Sequence, residues 1–503
     1  MHVALLLQVD ALEQDALEVL GLVRSMENNL APINQIPSDI FSHIPEYLEG
    51  GKDLITMTHV CRSWRELLIT RPSLWVRLHC ENVDRTRVYI ERSKSAPLKL
   101  SLYDGGDVGC LEDPFLLVVP HIKRIKSLAI NAGLNLLHNL TPLLFRPAPL
   151  LSELIIHCGG HVLDTRLFNG DLPSLCSLSL SGVTTHLPWK NLSKLTTFKL
   201  CHVPEGRASI TELLDFLEGA HHLRDITLDH SIPTSSDAPP GRVVSLPHLK
   251  QLTIYANPVH SILLNHLSIP TGASLALNFE FTGNKSPVPD FLPTTHKNLG
   301  NIFPISSVSL SLDTVLKNVR LSGPNGRLHL LGRWKDWEDG SIFTLDRRIL
   351  RSLSLFDLSG AQRLAVAQYE SPTVDIVDKS APYRILSRMK DLRTLTLSQC
   401  NNVPFILALN PDQNSSKRVP CPKLEELVLY VEGLGSFNIE ELMRMAKERA
   451  SAGIKLSSIT VVGLGELLPG WEVFKLREYI THVDYKVGEK PLRWDDVHVD
   501  EGY

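Results

Sequence analysis

One spacing recurs along this chain and limits what it can fold into: a large aliphatic or aromatic residue at i, i+3 and i+5. It appears at Ile125/Leu128/Ile130, Leu151/Leu154/Ile156, Leu175/Leu178/Leu180, Leu195/Phe198/Leu200, Leu223/Ile226/Leu228, Leu249/Leu252/Ile254, Leu350/Leu353/Leu355, Leu392/Leu395/Leu397, Leu424/Leu427/Leu429 and Leu456/Ile459/Val461. From Ile125 to Leu249 the successive starts differ by 26, 24, 20, 28 and 26 residues. The last two members of each triad lie two apart and point to one side of a short strand, while the first closes the preceding turn into the same core. One unit of this kind is unstable alone. Stacked units bury a continuous ribbon of Leu and leave intervening residues, such as Ser177 and Ser179 or Thr394 and Thr396, on an open face.

The period falls within the roughly 20–29 residues of leucine-rich repeats and predicts an irregular repeat domain over residues 81–490, with the open face as binding surface. Helical periodicity in SITELLDFLEGA (Ile210 to Leu217) and NIEELMRMAKERA (Ile439 to Ala450) makes some repeats strand then helix. Between Leu249 and Leu350 the triads lapse, yet SLALNFEF (274–281), SVSLSL (307–312) and RLHLL (327–331) still alternate as strands do. Thr282 to Pro304 reads as an exposed insertion, Ser231 to Pro240 and Asn410 to Pro422 as loops, and residues 491–503 as a solvated acidic tail. The predicted fold class is α/β: N-terminal helices followed by an irregular leucine-rich-repeat solenoid.

Composition narrows the function. A formal net charge of −4 over 503 residues supplies no field to gather nucleic acid or anionic lipid, and no apolar stretch approaches a membrane span. The start MHVALLLQVD lacks a basic flank and runs into Asp10, Glu13 and Asp15, unlike a signal peptide. The cysteines (61, 80, 110, 158, 176, 201, 400 and 421) form no CxxC pair and read as buried thiols in a reducing compartment, cytosol or nucleus. No G-x-S-x-G elbow, H-E-x-x-H helix, phosphate-binding glycine loop or kinase signature is present, so the expectation is a non-enzyme with no cofactor and no metal. His157, Cys158 and His161 read as turn and core residues following a strand, His221 and His222 as loop histidines, and Lys123, Arg124 and Lys126 as a solvated strand edge.

The first 80 residues are different. Residues 1–32 form an amphipathic helix with a heptad pattern at Leu5, Val9, Leu12, Ala16, Val19, Val23, Met26 and Leu30. Two readings follow: self-association through residues 5–30, or a helix packed on its own domain, which the additional Leu6, Leu7 and Leu20 favour. In residues 33–80, Pro37 opens a short helix carrying Ile40, Phe41 and Ile44. Asp53 caps a second helix with Leu54, Met57, Val60, Cys61, Trp64, Leu67 and Leu68 on its core face, and Ser73-Leu74-Trp75 starts another turn after Pro72. Three short helices cannot bury all these side chains by themselves, so the segment calls for a partner surface.

The combination of Ile36-Pro37, Asp53-Leu54, Val60-Cys61-Arg62-Ser63-Trp64-Arg65 and Leu74-Trp75 resembles the F-box, and with the preceding heptad helix and following repeats it resembles the large F-box family of mushroom-forming fungi. The resemblance implies a substrate-recognition adaptor of a ubiquitin ligase, docking to a Skp-type adaptor and through it to a cullin, with the repeats binding a protein target. Carried over by position, Ile36, Pro37, Ile40, Phe41, Ile44, Leu54, Val60, Cys61, Trp64 and Trp75 form or support the adaptor interface, with Pro37, Ile40, Phe41 and Ile44 expected to face it. Two positions depart from the family pattern: Ser38-Asp39 displaces the acidic residue after the proline, and the first helix leads into a longer EGGKD connection. The repeat Asn or Cys eight residues after the first Leu is matched at Asn257 and Cys400 and missing from most units. A leucine-rich scaffold unconnected to ubiquitin transfer is the alternative reading.

Overall fold

The structure, a computed structural model, describes residues 2–41, 43–47, 51–80, 82–103, 116–132, 144–163, 167–185, 192–202, 209–232, 239–256, 263–281, 299–300, 304–312, 316–323, 327–334, 353, 356–368, 380–398, 400, 402–411, 419–431, 438–463 and 474–487. It is a mixed α/β chain in two compact units, residues 1–178 with 189–194, and residues 179–188 with 195–503. Most of the insertion at 282–304, the middle of both predicted loops and the acidic tail lie outside the described residues.

The first unit begins with α1 (His2–Leu30), followed by α2 (Ser38–Phe41), α3 (Gly51–Thr58), α4 (Arg62–Ile69) and α5 (Val83–Ser93). Every described side chain of α1 from Val9 to Asn28 is exposed, which corrects the expectation that this helix packs on its own domain. The physical reason is that the segment after it closes its own core around Phe41, Leu54 and Leu68 without drawing on the helix from Val9 to Asn28. Four parallel strands follow in order: β1 (Arg77–Leu78), β2 (Leu98–Tyr103), β3 (Ile125–Ala132) and β4 (Glu153–Leu163). Their apolar residues align side by side, Leu100 with Leu128 and Leu128 with Leu154, then Leu102 with Ile130 and Ile130 with Ile156. β5 (Ser177–Thr185) carries the next triad.

In the second unit β6 (Thr197–Cys201), β7 (Asp225–Asp229), β9 (Gln251–Ala256) and β11 (Ser274–Phe281) run parallel, and β8 (Val244–Ser245) pairs separately with β10 (Leu267–Ser268). A second parallel run comprises β12 (Ser307–Leu312), β15 (Arg363–Gln368), β16 (Thr394–Ser398), β17 (Glu426–Val431), β18 (Ser458–Gly463) and β19 (His482–Val487). The two runs are joined by an antiparallel meander. β14 (Arg327–Trp334) lies parallel to β11 and antiparallel to β13 (Leu316–Ser322), which in turn is antiparallel to β12. Among the described residues the lapse in the sequence pattern is therefore filled by five strands, the short β10 and four of the ladder, β11 to β14, of which β13 is reversed.

Nine of the ten triads sit at strands with all three members buried, at most 6 % exposed. The first member closes a turn, as the spacing predicts: the N–H of Leu151, Leu175, Leu223, Leu249 and Leu424 donates to the carbonyl three residues earlier, at 3.0–3.1 Å. Those acceptor residues, Ala148, Leu172, Ala220, Leu246 and Cys421, are themselves buried, so the true unit reaches one three-residue step further upstream. The tenth triad is misplaced. Leu353 is buried but belongs to a helical turn, Leu350 and Leu355 lie outside the described residues, and the strand comes later, with Ala361, Leu364 and Val366 in the triad positions. Ile305/Val308/Leu310 and Ile480/Val483/Tyr485 are further units that the Leu-based pattern did not reveal.

Among the described residues of the second unit the α-helices are α6 (Ile210–Gly219), α7 (Ser380–Leu386), α8 (Val403–Ala408) and α9 (Ile439–Ser451). The side chains of Ser209 and Asn438 cap α6 and α9 by accepting from the N–H groups of Glu212 and Glu441. Phe216 of α6 meets Phe198 of β6 with ring centroids 4.5 Å apart. Arg449 of α9 is fully buried and donates to the carbonyls of Leu409, Pro420 and Cys421, which supplies donors to a loop that has no ladder of its own.

Candidate functional site

The segment after α1 turns sharply because Pro32 starts a one-turn 3-10 helix, Pro32–Gln35. Asn34 fixes that turn from both sides: its Nδ2 donates to the Asn28 carbonyl, and its Oδ1 accepts from Trp64 Nε1. α2 is only four residues long and passes into a second 3-10 turn, Ile44–Tyr47. The expected single second helix is in fact two. α3 ends at Thr58, and Cys61 adopts an extended conformation (φ −153°, ψ 170°) as the residue preceding α4. Arg65 Nε donates to the Thr58 carbonyl at 2.9 Å and locks this corner. Asp53 lies inside the first turn of α3 instead of capping it, because the helix starts at Gly51.

This break sorts the predicted interface residues. Phe41 is 4 % exposed and its ring contacts Trp64 at 4.5 Å, so it is core and not one of the outward residues. Leu54 is buried as well, and Trp75 is completely so. Trp75 Nε1 donates to the Leu68 carbonyl at 2.9 Å, the ring meets Tyr89 edge-on at 4.9 Å, and the Arg92 guanidinium lies 4.4 Å over it. That residue ties the short helices to α5. Ile36, Cys61 and Trp64 are half-buried. Pro37, Ile40, Ile44 and Val60 face solvent; Ile40 is 57 % exposed and Val60, placed at the corner by the break, 56 %. Tyr47, 84 % exposed, was missed by the sequence reading. It follows Ile44 by three residues in a 3-10 turn, where such positions eclipse one another.

Residues 33–81 match the F-box-like family model. No curated protein matched the chain. The F-box-like match therefore takes in the segment from the exposed Ile33 through the short helices to the buried Trp75 and a few residues beyond.

Elsewhere the sequence candidates resolve into structural roles. Arg124 donates to the Ala96 carbonyl and to Ser93 Oγ at the end of α5, so the basic cluster is not a free anion site. His157 and Cys158 are adjacent residues of β4, one exposed and the other buried, and the expected glycine turn there is continuous strand to Leu163. His221 and His222 are exposed in the turn before β7, with ring centroids 4.4 Å apart. Burial pushes the thiols of Cys80, Cys400 and Cys421 up to about 12, which keeps them protonated and unreactive near neutral pH. Cys61, Cys176 and Cys201 are only half-buried, against the expectation of a fully buried set. Among the described residues no helix is long and apolar enough to cross a membrane.

Proposed function

We propose that this protein is the substrate-recognition subunit of a Skp-cullin-F-box ubiquitin ligase, a role that the F-box-like module suggests. The observation that carries the reading is the cluster of apolar side chains that the module leaves in solvent, Pro37, Ile40 and Ile44, although it has buried Phe41 and Leu54. Desolvating such a cluster on a Skp-type adaptor supplies the binding energy, and truncating its central residues removes it. The contribution to ubiquitin transfer is proximity, with no catalytic side chain in this chain. Cytoplasm or nucleus is the corresponding setting, and the helix, module and strand order support placing the chain beside the F-box proteins of mushroom-forming fungi.

The strand ladder supports a leucine-rich-repeat array as the target-binding part. Its triads are used up in the core, and the residues between them, such as Thr394, Thr396 and Ser458, stay half-buried on the other face. The test is capture of a recombinant Skp adaptor by the full-length chain, compared with an Ile40→Asp/Ile44→Asp variant. Binding that disappears in the variant while the thermal midpoint holds is the expected result. A folded parent chain that captures no adaptor removes the ligase reading and leaves the scaffold reading.

The exposed face of α1 supports a second contact, parallel pairing of two copies. Aligned in parallel, the flanking heptad positions place Gln8 against Glu13, Asp15 against Leu20 and Leu22 against Glu27, with no like-charge pair. An antiparallel pair with Val19 of one copy against Val23 of the other would set Glu13 against Glu27. Light-scattering mass should fall from dimer to monomer in Leu12→Asp/Val19→Asp; a parent chain already monomeric at micromolar concentration rules the pairing out.

A further inference from the structure

β6 and β7 are adjacent parallel strands, with Cys201 opposite Asp229 in register. The residue that follows each strand is a histidine: His202 comes seven positions after Leu195, and His230 seven after Leu223. Two neighbouring units therefore place the same side chain at the same step. Both histidines adopt a left-handed backbone, φ 50° and 45°, a region that non-glycine residues enter at a cost of about 1 kcal/mol or more. Hydrogen bonds hold them there, from the His202 N–H to the Asp229 carbonyl and from the His230 N–H to the Tyr255 carbonyl, each 2.6 Å.

The consequence is convergence on one carboxylate. His202 Nε2 lies 3.5 Å from Asp229 Oδ2, and His230 Nδ1 lies 2.7 Å from Asp229 Oδ1. The imidazoles are nearly parallel, at 17° with centroids 5.6 Å apart. Among the described residues this is the only group of three metal-ligating side chains whose donor atoms all lie within 4.8 Å of one another. Ligand atoms around a four-coordinate zinc ion, at metal distances of roughly 2.0–2.2 Å, stand roughly 3.3 Å apart, so rotamer adjustment brings all three donors to one centre. Two neutral imidazoles and a carboxylate form a nitrogen and oxygen set that suits a first-row transition ion better than calcium or magnesium, which take oxygen ligands. The Asp229 side chain is 24 % exposed and that of His202 63 %, so the site is open on one side.

We infer that His202, Asp229 and His230 form a binding site for a divalent transition-metal ion, Zn2+ in the first instance, with three protein ligands and an open position for water or a ligating group of a bound partner. The site cross-links the ends of two adjacent ladder strands, and it is independent of whether the F-box-like module docks to an adaptor.

The test is a calorimetric titration of tag-free, chelator-treated full-length chain with Zn2+, repeated with Co2+ followed by visible absorption. One equivalent should bind, and both His202→Asn/His230→Asn and Asp229→Asn should weaken binding at least about tenfold. A control, His221→Asn/His222→Asn, removes the other exposed histidine pair and should titrate like the parent. Two site variants of different chemistry guard against one being misfolded. The absence of stoichiometric binding, an affinity indifferent to the site variants, an equal loss in the control, or a sulfur-to-cobalt charge-transfer band would each overturn the assignment.

Discussion

The strand ladder and the F-box-like module treat apolar residues in opposite ways. In β16, β17 and β18 each triad is at most 2 % exposed, because the neighbouring strand supplies the matching residue in register. In the module Ile40 and Phe41 are adjacent, and one is 57 % and the other 4 % exposed. The ladder is completed by repetition; the module closes a small core and leaves other apolar residues in solvent. Surface apolar residues mean different things in the two regions: an exposed ladder position is an interval between core residues, whereas an exposed module position is, on the proposed function, surface kept for a partner.

The sharpest way to break this comparison is to place a charge in the ladder. Leu427→Asp puts a carboxylate between Leu395 and Ile459, its apolar partners on both sides. An uncompensated buried charge costs several kcal/mol, so the variant should lose its cooperative thermal transition or fail to accumulate as soluble protein. The same substitution at Ile40 should leave the transition in place. If Leu427→Asp melts like the parent, the ladder does not carry the stability assigned to it.

Next in size is the contrast between neighbours. Phe41→Ala removes the ring packed on Trp64 and should cost about 3–5 kcal/mol in denaturant unfolding, whereas Ile40→Ala should cost no more than about 0.5 kcal/mol. Equal losses at the two positions would mean that the module has no inside and outside of the kind described.

The difference between the regions also governs how far each could be read from sequence. A triad is a local statement, and since nine strands repeat it, Leu175, Leu178 and Leu180 identify their own burial without knowledge of the partner. Direction is not local: Leu316, Val319 and Leu321 have the same sequence spacing as the parallel triads, and only pairing with β12 and β14 shows that β13 runs backwards. The triad at Leu350/Leu353/Leu355 matched in spacing but lost to Ala361/Leu364/Val366, whose pairing with β12 on one side and β16 on the other decides where the strand lies. In the module the interface residues could be named but not sorted. α2 has four residues, barely one turn, so periodicity cannot separate Ile40 from Phe41. The histidine site escaped because its members are 28 residues apart in two units; aligning the units on their first Leu would have stacked His202 on His230.

A smaller effect separates the meander from the parallel ladder by pH. Burial, and secondarily Arg320, push His329 in β14 down to about 4, well below the ordinary histidine value near 6.5. The unfolded chain therefore takes up a proton that the folded chain refuses as pH falls. This contribution is fully present above about pH 6.5 and is lost progressively toward pH 4, on the order of a few kcal/mol in total. Denaturant unfolding at a series of pH values should show a steeper loss in the parent than in His329→Gln, and parallel curves would count against the burial of His329.

The smallest effect concerns helix starts, and it returns to the module. α6 and α9 begin with a side-chain cap, Ser209 or Asn438, whereas α4 begins at Cys61, which makes no capping hydrogen bond despite an extended backbone suited to one. Serine at that position has an oxygen that can accept from a free N–H in the first turn, so Cys61→Ser should stabilise the module by about 0.5–1 kcal/mol, read as a small rise in thermal midpoint. Asn438→Ala should destabilise by a similar amount. If adaptor binding by Cys61→Ser is unchanged while stability rises, the missing cap is simply slack in a short helix. If binding weakens as the helix start tightens, the corner from Thr58 to Cys61 must move for the adaptor to dock, and the exposed Val60 at that corner belongs to the contact.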